Sequence, residues 1–175
     1  MPAMVDPRFA RSLTYIMRHD DDGAAGLVIN KPMNLLLTKL LSEVTGTTNI
    51  APLQPPDRPV LYGGPVSPQM GFVLHKESSH WTSTVSTHDG ICVTSSRDIL
   101  EAIAQGQGPD DYLVVLGYAG WSAGQLEQEM GNNAWLNCPA DTDLLFHLPF
   151  KQRWQASIHK LGIDPVSLVH DAGHA

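Results

Sequence analysis

The sequence predicts an α+β fold, on three observations. Short apolar, β-branched runs follow one another through the first half of the chain as an antiparallel-looking series. The longer helical patterns gather later. Strands and helices do not alternate regularly, as a doubly wound sheet would require.

Taken in order, residues 12–19 read as a strand, 20–23 as a tight acidic turn and 25–30 as a second strand, together a hairpin. Residues 36–44 form a short amphipathic helix stopped by Gly46. Pro52, Pro55, Pro56 and Pro59 make 47–59 a surface loop. Short strands follow at 60–62, 71–75, 83–87 and 91–94. Ser95 or Ser96 then caps a helix that runs to Ile103 and ends at Gly106 and Gly108. The most informative stretch is 112–131. Residues 112–116 read as a covered strand, Gly117, Gly120 and Gly124 as a glycine-rich turn, and Ser122 with Gln125 as a capping box opening a helix to Gly131. A strand is expected at 134–138, with helical pieces at 141–146 and 150–161.

With 175 residues the chain is most simply one domain, 1–175, long enough to bury a core; residues 166–175 are expected to form a flexible tail. The net charge of −7, with 11 Lys and Arg, argues against direct contact with nucleic acid. No apolar run is long enough to cross a bilayer and no export signal is visible, so a cytoplasmic location without membrane association is expected. Cys92 and Cys138 lack metal-ligand spacing and are expected to be reduced thiols. Neither a metal nor a cofactor is called for, and the partner is an unknown small molecule or protein.

A helix N-terminus at a strand end presents unpaired N–H groups, so a small-ligand or anion cleft is expected at 117–125. Its candidate residues are Gly117, Gly120, Trp121, Gly124, Gln125 and Glu127. Asn30, Gly63, Gly64, Pro65 and Arg97 are candidate walls, and Arg11 is a further charge beside a turn. Gly120 is expected at positive φ, and Gly124 to be kept small by a close neighbour. Gly120-Trp121-Ser122-Ala123-Gly124 also matches the nucleophile-elbow pattern of serine hydrolases. Asp141, Asp143 or Asp164 would be the acid, and His170 or His174 the base. The hydroxyl is equally well explained as a helix cap, and no oxyanion segment precedes it. The hydrolase is therefore the alternative reading, and the residues leave open whether the protein is an enzyme. His170 and His174 near the chain end, and His75, His80 and His88, carry no metal-site signal.

From end to end the chain resembles the AlgH/YqgE family of bacterial proteins, usually described as uncharacterised or as transcriptional regulators. The matching pieces are 6–12, 26–32, 63–66, 71–75, 95–100, 117–129, 133–135, 152–154 and 161–165. The resemblance implies an α+β fold with a bifurcated, mostly antiparallel sheet curled into a pseudo-barrel, with helices packed around it. It implies no established catalytic residue, and the family does not require serine at the position of Ser122. Family members carry several more residues ahead of Met1-Pro2, so the first strand is expected to be cut short here or the start misassigned. The regulator description does not imply direct DNA contact.

Overall fold

Short apolar runs bounded by turn residues account for most of the strands. The computed structural model describes residues 6–56, 58–76, 81–87 and 89–163. In chain order the elements are β1 (Thr14–Asp20), β2 (Gly23–Val28), β3 (Pro32–Leu36), α1 (Leu37–Thr45), β4 (Pro59–Tyr62) and β5 (Val66–Lys76). They continue with β6 (Thr84–Ser86), β7 (Ile91–Thr94), α2 (Arg97–Ala104), β8 (Tyr112–Ser122), α3 (Gln125–Gly131), a π-helical turn (Asp143–His147) and α4 (Phe150–Lys160). The fold is α+β with a mostly antiparallel sheet and helices packed on it. β4 beside β8 is the parallel exception. The sheet forks at β8, which bonds β2, β4 and β5. No helix among the described residues is long and apolar enough to cross a membrane.

The chain divides into two compact units, Met1–Lys31 with Ala119–Ala175, and Pro32–Tyr118. In the first, β1 and β2 form the expected hairpin. Asp20 pairs with Gly23, and the Asp22 N–H donates to Asp20 Oδ1 at 3.0 Å, an Asx turn. The end of β8 joins β2 through Gly23↔Ser122, Ala24↔Trp121, Ala25↔Gly120 and Gly26↔Ala119. This ladder corrects the reading of 117–124 as a turn. Cross-strand pairing carries the chain extended through Gly120, whose φ is not positive. The turn is only Ala123-Gly124, and α3 begins at Gln125 with Gly124 at φ 71° as its cap. Ser122 does not cap a helix. Instead its N–H donates to Gln125 Oε1 at 2.9 Å. Residues 134–138 are not a strand either, because no neighbouring strand pairs with them among the described residues.

In the second unit, α1 and α2 bury Leu37, Leu41, Ile99 and Ile103 against Val60, Val73, Tyr112 and Val114 of the sheet. α1 ends as expected, with Gly46 at φ 74° and its N–H on Ser42 O. Ser96 holds the cap position of α2, but its hydroxyl donates to Asp98 Oδ1 and accepts from the Ser83 N–H at 3.1 Å rather than from the helix's own backbone. The Ser96 bond to Asp98, with those from Thr82 and Ile99, holds Asp98 at a pKa of about 2. β3 was not anticipated. It pairs with β4 through Pro32↔Leu61 and Leu36↔Pro59. β5 starts earlier than expected, at Val66, and its pairing with β8 slips between Val66 and Gly71. Cys92 and Cys138 are both free.

His75 on β5 is fully buried. Its Nδ1 lies 2.8 Å from Lys76 O, an acceptor only, so Nδ1 carries the proton and Nε2 accepts from the Thr94 hydroxyl at 2.9 Å. Burial lowers its pKa from the ordinary 6.5, against a smaller opposing effect of the Lys76 bond. The folded pKa lies below the unfolded one. Its contribution to stability is therefore complete above pH 6.5 and is lost as the pH falls through that value and towards the folded pKa. In an NMR titration the His75 ring should stay neutral at a pH where an exposed histidine is half charged. A midpoint at or above 6.5 would contradict this reading.

Candidate functional site

Strand register builds the site in the first unit. Pairing across β1, β2 and β8 sets His19, Ala24 and Trp121 in one row and Ile16, Gly26 and Ala119 two rows on, on the same face. Partners directly opposite share a sheet face, so a large ring at Trp121 stands beside small residues. The slip in register between Ile16 and Arg18 returns His19 to the face of Ile16. After the Ala123-Gly124 turn, α3 brings Leu126 and Met130, one helical turn apart, to the same side. Asn133, at φ 56°, reverses the chain, and the Ala134 N–H bonds Glu129 O at 2.9 Å. Trp135 then packs edge to face on Trp121, with ring centroids 5.6 Å apart, and on Phe9 at 5.7 Å.

One carboxylate holds this arrangement. The indole N–H groups of Trp121 and Trp135 both donate to Glu129 Oε2, at 2.9 and 2.7 Å, and Gln125 Nε2 donates to Oε1 at 2.8 Å. Burial alone would raise the Glu129 pKa. The three hydrogen bonds outweigh it and hold the group below the ordinary carboxylate value, so it is charged at neutral pH. Beside the clamp lies a groove of about 340 Å³. Trp121, Leu126, Met130, Trp135 and Leu136 supply apolar wall on one part, and Leu13, Thr14 and Ile16 on another. Its polar groups are Ser12, His19, Asn137 and Cys138. Thr14 Oγ1 is buried without a hydrogen-bond partner among the described residues. His19 Nε2 donates to the Glu127 carboxylate. Burial pushes the Cys138 thiol pKa up, and nearby Lys160 only partly offsets it, so this thiol is not activated.

The sequence candidates have the following positions. Asn30 staples the entry to β1: its Oδ1 accepts from Leu13 N at 2.8 Å and its Nδ2 donates to Arg11 O at 2.9 Å. Arg11, at φ 51°, places its guanidinium 5.7 Å from the Trp154 ring. Trp121 is a wall of the groove, Gln125 is part of the Glu129 clamp, and Glu127 holds His19. Gly120 is a ladder residue, and nothing lies within 4 Å of a Cβ built on Gly124. The close-neighbour reading of Gly124 is therefore overturned; its requirement for glycine comes from φ alone. Gly63, Gly64, Pro65, Arg97 and Gly117 belong to the second unit. There the Gly63 N–H donates to Leu116 O at 2.8 Å, and Arg97 pairs with Glu101 at 2.8 Å.

Two features of the α3 start oppose an anion there. The helix has seven residues with Glu127 in its first turn, and the Ser122 N–H is already taken by Gln125. Ser122 is exposed at the end of β8 rather than at a strained elbow. Asp141 accepts from Leu144 N at 2.9 Å and pairs with Lys160, and Asp143 lies 3.9 Å from His147. No acid–histidine–serine arrangement forms at Ser122 among the described residues. Asp164, His170, His174 and the expected tail lie outside them, as do His80 and His88. Sequence reasoning missed Thr14, Ile16, Leu126, Met130 and Glu129. The spacing Gln125–Glu129 and Leu126–Met130, one turn on a helix, was the available signal.

Residues 1–166 match the model of a family described as AlgH-like. A UPF0301 protein of Thioalkalivibrio sulfidiphilus is 50% identical over 175 residues, covering 100% of this chain and 92% of its own. One from Stenotrophomonas maltophilia is 45% identical, covering 99% and 92%. The solution structure of the AlgH protein from Pseudomonas aeruginosa superposes with a TM-score of 0.80 at 44% identity, covering 100% of this chain and 92% of that one. A crystal structure of a Corynebacterium diphtheriae protein, 19% identical with a TM-score of 0.72 over 95% of this chain and 84% of that one, shares the fold.

Proposed function

The chain belongs to the AlgH-like family, and with that as premise we propose that it is a cytoplasmic binding protein of regulatory type, whose small, largely apolar ligand occupies the groove beside Trp121 and Trp135. The observation that carries this reading is the clamp. Both indole N–H groups are consumed by Glu129, so the two largest side chains of the groove are held in place and offer it carbon surface. A site prepared in this way loses little side-chain freedom on binding. Direct binding to DNA is not part of this function, since a net charge of −7 repels a polyanion at long range.

A titration with neutral single-ring fragments, followed by amide and indole chemical shifts, tests the reading. Shifts should concentrate on Ile16, Trp121, Leu126, Met130 and Leu136. Binding confined to Gly63–Gly64 and Arg97, or no binding by any fragment, would contradict it.

A further inference from the structure

We propose that the ligand of this groove carries a positive charge: an apolar body bearing an ammonium group, seated with the cation towards Trp121, His19 and Glu127. The inference rests on the groove being the binding site and adds the charge of its occupant. Carboxylates outnumber cations around the apolar walls. Glu129 lies directly behind both indoles, bonded to their N–H groups, and Glu127 holds the His19 ring that lines the groove. No Lys or Arg is among the lining residues. Of the neighbouring cations, Lys160 is paired with Asp141 and acts on Cys138, and Arg18 is paired with Asp20 at 3.2 Å. An anion entering the groove would lie near Glu129 behind the indoles and Glu127 beside His19, with no Lys or Arg among the lining side chains to meet it.

The indoles add a second, independent attraction. A ring whose N–H donates to a carboxylate gains electron density, and the π-surface of tryptophan is the best aromatic partner for a cation. The two rings lie edge to face, 78° apart in plane, and both line the groove. Thr14, whose hydroxyl is both donor and acceptor, does not discriminate on charge. Selectivity therefore falls to Glu127, Glu129 and the rings. Glu127 is 54% exposed, so its share is screened by salt, whereas that of the ring pair is not.

Three probes of one shape test the proposal: 3-phenylpropyltrimethylammonium, 3-phenylpropanol and 3-phenylpropionate. Each is titrated into the full chain at pH 7.5, with affinity read by calorimetry and position by chemical shift. The cation should bind about tenfold or more tighter than the anion, with the alcohol between them. Glu127→Gln should narrow the cation-to-anion ratio severalfold. If the anion binds as well as the cation while the same groove residues shift, the charge assignment falls and the groove reading stands. If none of the three shifts the groove, both fall.

Discussion

Gly63→Ala is expected to unfold the protein or nearly so, and Gly117→Ala to do the same, whereas Gly124→Ala costs little. A Cβ on Gly63 would lie 2.2 Å from Gly117 O and 2.4 Å from Val115 Cγ1. The valine can turn away, but the carbonyl is backbone of β8, whose neighbouring Leu116 O already accepts the Gly63 N–H. Relief requires β4 to part from β8 in a closely packed sheet. Overpacking a core costs about 1–3 kcal/mol where side chains can yield, and more where backbone must move. A loss of roughly 4 kcal/mol would consume most of the margin of a marginally stable domain. Gly117 adds a positive φ of 73° to a contact of 2.4 Å with Gly64 O. Gly124 has a similar φ, 71°, and open space, so only the left-handed penalty of about 1–2 kcal/mol applies. Urea denaturation should rank Gly63 and Gly117 far below Gly124. A Gly63→Ala protein within about 1 kcal/mol of wild type would refute the contact.

Arg153→Met should be the most damaging change in the first unit. Arg153 is 1% exposed, yet its guanidinium is fully directed. Nε donates to Leu148 O at 3.0 Å, closing the π-helical turn, and Nη1 donates to Ile29 O at 2.7 Å just past β2. The Phe150 ring lies 4.5 Å from Cζ. Methionine fills much of the volume but leaves both carbonyls without this donor. Each buried orphan costs about 1–3 kcal/mol, so a loss of roughly 3–4 kcal/mol is expected. Arg153→Lys should recover only part of it, because an ammonium lacks the rigid fork that reaches two acceptors. Equal stability of Arg153→Met and wild type in urea would show the fork to be dispensable.

The elements visible in the sequence were those set by local chemistry. Asp20 to Gly23 reads as a turn because its side chains make one, and Gly46 ends α1 because the helix there needs a left-handed residue. β8 was cut short because Gly117 and Gly120 look like breakers. Only the pairing of Gly120 with Ala25 shows that the strand continues. Residues 134–138 have strand-like composition, but Trp135 is drawn to Trp121 and Phe9 rather than to a strand edge. β3 went unseen since Pro32 masks its start. The same limit hid the groove. Trp121 stood out in the sequence, but its companions at Thr14, Ile16 and Trp135 reach it only through the β1–β2–β8 register and the turn at Asn133. Glu129 carries no signal of its own in the sequence, because its role depends on two rings arriving from opposite sides of it in sequence.

The most direct test of the groove is to fill it without disturbing the fold. Ile16 is 38% exposed on β1 and lines the groove opposite the α3 wall. Ile16→Trp should melt at the wild-type temperature and bind the phenylpropyl probes at least about tenfold more weakly, since a blocked site forfeits more than 1.4 kcal/mol of contact. Wild-type affinity in a folded Ile16→Trp protein would place the ligand elsewhere and contradict the account.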